Sequence, residues 1–69
     1  RRVGVITARE VVSRHGPSMT LGEHLRLAEG ARVQILANER NGWLSVRPLY
    51  GASGSRERTY IREDSLEGI

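Results

Sequence analysis

Two imidazoles, His15 and His24, the serines Ser13 and Ser18, and a scatter of carboxylates are the side chains able to do acid–base or nucleophilic chemistry. Such chemistry needs a nucleophile held against a base. The two histidines are nine residues apart, and neither that spacing nor a neighbouring carboxylate motif suggests a metal pair. A tetrahedral metal site needs at least three protein ligands, and the chain offers two imidazoles and no cysteine. Gly51 to Gly54 lacks the Lys-Ser/Thr ending of a phosphate loop. Catalysis, a metal and a cofactor are therefore not expected.

Recognition has better material. Trp43, Tyr50 and Tyr60 are the three aromatic residues. By alternation Trp43 and Tyr60 fall on the face opposite Leu44, Val46 and Ile61, where an aromatic ring gives large contact area at low entropic cost. A half-buried lid over the core is the competing role for Trp43. On the recognition reading, Trp43→Ala abolishes binding and leaves the fold mostly intact. Arg14 and Arg47 add guanidinium groups that can grip a carboxylate bidentately. As ordinary surface ion pairs they would contribute under about 1 kcal/mol each. The expected ligand-binding set is Trp43, Tyr60, Tyr50, Arg47 and Arg14.

Those residues need a scaffold, and the composition bounds its size. The chain has 69 residues, 38% of them apolar, with a single Trp and no Phe. That is one small core and one domain, 1–69, without volume for a large internal cavity. The eleven basic residues are all arginine and face eight acids, a net +3. Six of the arginines and three acids lie in residues 1–34, against five and five in 35–69. This mixing differs from the basic stripe with interleaved aromatics of a nucleic-acid reader. Apolar runs are pairs and triplets, far below the roughly twenty residues of a membrane span. Without cysteine, no disulfide framework exists. The chain begins with Arg, and a domain cut from a longer multidomain protein is expected.

Val3 to Ala8 nearly alternates, with Val3, Val5 and Thr7 on one face and Ile6 on the other, and predicts a first strand. A long loop follows from Arg9 to Ala28, with a strand piece at Val11-Val12 and a turn at Gly16-Pro17-Ser18. Leu21, Leu25 and Leu27 fit either a short helical turn or a segment rejoining a strand. Glu29-Gly30 marks a tight turn, and Arg32 to Ala37 alternates with Val33, Ile35 and Ala37 facing one way. Asn41-Gly42 supplies the two positive-φ positions of a hairpin turn, and Trp43 to Arg47 resumes the alternation. Pro48 ends that strand or places it at an edge. Tyr50 to Ser55 reads as a loop tip, and Arg58 to Arg62 as a strand with Thr59 and Ile61 opposite Tyr60. Asp64-Ser65-Leu66 predicts a final helical turn, with Leu66 and Ile69 closing one end of the core. The sum is an all-β fold: a bent antiparallel sheet of about five strands closed into a small barrel.

Three segments in order and spacing resemble the bacterial SH3-like domain family. They are Arg14-His15-Gly16-Pro17-Ser18, Leu27-x-Glu29-Gly30-x-x-Val33-x-Ile35-Leu36 and Asn41-Gly42-Trp43-x-x-Val46. The resemblance covers Ile6 to about Leu66. It implies a five-stranded SH3-like barrel with a long first loop. It also implies a non-catalytic appendage of cell-envelope or extracytoplasmic proteins that takes part in cell-wall targeting, peptide binding or partner contacts. The chain departs from the family pattern at Val12-Ser13-Arg14, where the family often has Asn-Val-Arg, so the side-chain bonds that brace the following turn are missing or shifted to Ser13. It departs again at Thr59-Tyr60-Ile61, where Gly-Trp-Val is common, and in the longer loop from Pro48 to Arg58.

The resulting expectation is a module, monomeric when isolated, that binds a peptide, a peptidoglycan fragment or a protein partner through an aromatic groove. Its alternatives are a structural domain packed against a neighbour in its own chain, without a free ligand, and a nucleic-acid-binding small barrel.

Overall fold

The computed structural model describes residues 2–50 and 56–69, apart from the side chain of Tyr50. Seven strands form: β1 (Arg2–Ile6), β2 (Glu10–Arg14), β3 (Glu23–Ala28), β4 (Arg32–Asn38), β5 (Trp43–Tyr50), β6 (Thr59–Arg62) and β7 (Leu66–Gly68). A 3₁₀ turn, Glu63–Ser65, joins β6 to β7. All pairings are antiparallel, in one sheet of order β3-β2-β6-β5-β4-β1-β7. The all-β expectation holds, and two of its details change. Among the described residues there are seven strands, and their ladder is not closed into a barrel. β7 has three residues, too few for alternation to show; it forms because Leu66, Glu67 and Gly68 pair with Ile6, Val5 and Gly4. The leucine spacing before Ala28 resolves as strand, paired along β2.

Connection lengths dictate how the sheet bends. β1 and β2 stand four places apart in the strand order, and so do β3 and β4. In a flat sheet four spacings span about 19 Å. The connections, 7–9 and 29–31, are three residues each and reach at most about 14 Å. The sheet therefore has to roll. Gly30 N–H donates to Ile6 O (2.8 Å), Ile6 N–H to Ala31 O (2.8 Å) and Glu29 N–H to Arg9 O (3.1 Å), tying both short turns together. Gly30 takes φ +90°, a conformation that favours glycine. Extents of 26 × 20 × 20 Å fit a rolled sheet rather than a flat one.

One cluster fills the roll: Ile6, Val11, Leu27, Ala31, Val33, Ile35, Leu44, Val46, Ile61 and Leu66. In β1 the inward face belongs to Gly4 and Ile6, while Val3 and Val5 are half-buried. A side chain at Gly4 would meet Leu66 Cδ1, with Glu67 O at 3.2 Å and Ile35 Cδ1 at 3.3 Å, which explains a glycine inside a strand. Leu66 closes the core as expected. Ile69 does not: it is 69% exposed. Ala37 also departs from its expected partners, because the β4–β5 register shifts between Ile35 and Ala37 and leaves Ala37 exposed. Pro48 is buried within β5, past the last β5–β6 pair, Val46↔Thr59, where a proline removes no β6 hydrogen bond. Among the described residues no helix is long and apolar enough to cross a membrane.

The β4–β5 turn forms as expected, with Asn41 at φ 60° and Gly42 at φ 80°. Trp43 N–H donates to Arg40 O (3.3 Å) and Glu39 N–H to Trp43 O (2.8 Å). Gly42→Ala keeps the chemistry and adds a Cβ to a left-handed residue. The expected loss is about 1–2 kcal/mol, read in a thermal melt as a midpoint lowered by several degrees.

Candidate recognition face

Directly opposed residues of an antiparallel ladder share a face. The pairs Arg14↔Tyr60, Tyr60↔Ser45 and Ser45↔Ala37 therefore form one row across β2, β6, β5 and β4. This row lies on the side of the sheet turned away from the main core. Trp43↔Arg62 makes the next row on one side, and Arg47↔Gln34 the row on the other. At two residues per step, Tyr60 sits about 7 Å along the strands from each. The register thus brings four of the five expected residues, Arg14, Trp43, Arg47 and Tyr60, onto one face. The fifth, Tyr50, ends β5, and its side chain lies outside the described residues.

The four differ in what they offer. Trp43 is 4% exposed, and the Arg62 guanidinium carbon sits 5.6 Å from its ring centroid, covering it in a cation–π contact. Arg62 also donates to Asn41 O (3.1 Å), so it clamps the hairpin turn over the indole. Tyr60 is half-buried and Arg47 exposed. Arg14 is half-buried and donates through one terminal nitrogen to Leu21 O (3.2 Å), bracing the loop between β2 and β3. Trp43 is therefore a covered platform, and the accessible chemistry comes from Tyr60 and the guanidiniums. Sequence reading had not included Arg62, although its position two residues after Tyr60 places it on the same face.

Ser45 is fully buried, and among the described residues its Oγ has no hydrogen-bond partner; the Nε of Arg14 is likewise buried and without one. Ser45→Ala removes an unmet polar group without leaving a cavity larger than one oxygen. It is expected to raise stability by about 1 kcal/mol, measurable as a higher urea midpoint at unchanged m-value.

On the core side of the sheet, β3 brings His24 against β6. Thr59 Oγ donates to Arg14 O (3.1 Å), so its contact with His24 Nδ1 (3.0 Å) has the imidazole as donor. His24 Nε2 lies 3.4 Å from Glu57 Oε1, a contact that attracts only when Nε2 is protonated as well. His15 stacks on His24 with centroids 4.1 Å apart. Nine residues apart in sequence, the two rings meet because the β2–β3 loop folds back on itself, with His15 N–H donating to Gly22 O (3.2 Å). Among the described residues, no three metal-ligating side chains converge and no pocket is present. With this geometry, neither a family model, nor a curated protein, nor a solved structure was found to match the chain.

Proposed function

We propose that this chain is a non-catalytic binding module of the bacterial SH3-like type, serving a cell-envelope or extracytoplasmic protein. In this reading it recognises a peptide, a cell-wall fragment or a protein partner on the face formed by β2, β6 and β5. The observation that carries the reading is the convergence of Arg14, Trp43, Arg47 and Tyr60 on one face, by register alone. A half-exposed ring flanked by guanidiniums suits an extended ligand laid along the strands better than a small molecule, since no pocket among the described residues encloses it. The rolled seven-stranded sheet, with its short 7–9 and 29–31 turns, is compatible with an SH3-like arrangement.

The test is an amide chemical-shift titration of the isotopically labelled chain with soluble peptidoglycan fragments. Saturable shifts centred on Tyr60, Arg47 and Ser45, lost in Tyr60→Ala, are the expected result. No shift at this face with wall fragments, with peptides or with a neighbouring segment of the parent protein would overturn the reading.

A further inference from the structure

Among the described residues, the arginines of this face form no ion pair. Among the described residues the ion pairs are His24–Glu57 (3.4 Å) and Arg26–Glu10 (3.0 Å), and neither uses an arginine of the Tyr60 face. Arg47 and Arg62 are exposed there, in rows on either side of Tyr60.

Resting on the binding-module reading, we infer that the partner of this face is an extended acidic peptide segment, with carboxylates two residues to either side of an apolar residue. The spacing follows from the strands. Trp43, opposite Arg62, and Arg47 are four residues apart on β5, which sets the Arg62 and Arg47 rows about 14 Å apart along the strands with the Tyr60 row midway. An extended chain of the pattern Glu-x-Val-x-Glu repeats that distance, setting its valine on the Tyr60 ring and its carboxylates on the guanidiniums. A nucleic-acid strand fits less well. Successive bases need successive exposed rings, and Trp43 is buried under Arg62.

The experiment titrates the labelled 69-residue chain with the capped heptapeptide Gly-Glu-Thr-Val-Thr-Glu-Gly, its Glu-to-Gln counterpart, and a single-stranded oligonucleotide, at low and at physiological salt. Expected is saturable binding of the glutamate peptide with shifts centred on Tyr60, weakened by the glutamine change. The Arg47→Glu variant should lose about fivefold in affinity, from reversal of one exposed charge. Arg9→Glu, in the 7–9 turn, should change it little. Arg62 is left intact because it covers Trp43. Equal binding of both peptides at the Tyr60 face overturns the acidic-partner inference and leaves the recognition face standing. Tighter binding of the oligonucleotide at physiological salt overturns it in favour of a nucleic-acid ligand. No binding of any probe at Tyr60 overturns it too; the wall-fragment titration then decides separately whether the face recognises anything.

Discussion

Replacing Trp43 by alanine is expected to unfold most of the chain. The indole is 4% exposed, and truncating a buried Trp costs about 3–5 kcal/mol. A 69-residue domain without disulfides has a total stability of only a few kcal/mol. The variant also strips Arg62 of its cation–π partner and loosens the 39–43 turn. Urea denaturation followed by far-UV circular dichroism gives the outcome directly: little or no folded baseline for Trp43→Ala, and a folded domain of reduced midpoint for Trp43→Phe. This corrects the expectation that the alanine variant would stay folded and lose only binding. Tyr60→Ala is the variant that separates recognition from folding, because Tyr60 is half-buried and its removal should leave the domain folded. A Trp43→Ala chain with wild-type stability would sink this account and return the indole to the list of free contact residues.

Ser13→Ala is expected to be the next most damaging change, by about 2–3 kcal/mol. β2 is regular at this point, while β3 carries an extra residue: Val12 faces Arg26 and Arg14 faces Glu23. Leu25 falls within this register shift, where the Ser13 hydroxyl bonds it on both sides, accepting from Leu25 N–H (2.9 Å) and donating to Leu25 O (3.2 Å). Ser13 is fully buried, so alanine strands a donor and an acceptor of Leu25 in a partly buried site, at about 1–3 kcal/mol for each group that water cannot reach. Amide exchange should show Leu25 losing its protection in Ser13→Ala. Ser18→Ala, which removes a hydroxyl bonded to Thr20 in the exposed loop, serves as the control and should leave the melt within a degree or so. An unchanged Leu25 exchange rate in Ser13→Ala would mean that water or a backbone shift replaces the hydroxyl.

How much of the candidate site could be read in advance is clear from its parts. Period-two alternation put Trp43 and Tyr60 opposite Leu44, Val46 and Ile61, and the ladder pairs agree. Joining them to Arg14 required the single β2–β6 pair, Arg14↔Tyr60, a contact across 46 residues of sequence that no local pattern encodes. The stacked His15 and His24 were read as separate loop residues, because only the return of the β2–β3 loop brings them together. Sequence reading had already pointed to Ser13 as a substitute for a missing asparagine bond. The hydroxyl does brace the structure, though it holds β3 rather than the Gly16-Pro17 turn.

From sequence alone came the all-β class, the Asn41-Gly42 turn, the alternation of β4, β5 and β6, and the absence of cysteine chemistry. These depend on dihedral preference and on which side chains alternate, both of which act between near neighbours. Tertiary structure decided the rest: β7, the open rolled sheet, the burial of Trp43 on the face opposite the main core, and the gathering of arginines around Tyr60. Each of these depends on which distant strand lies alongside. The pairing partner, set by the two three-residue turns that force the sheet to roll, determines what a side chain touches once its own strand has determined which way it points.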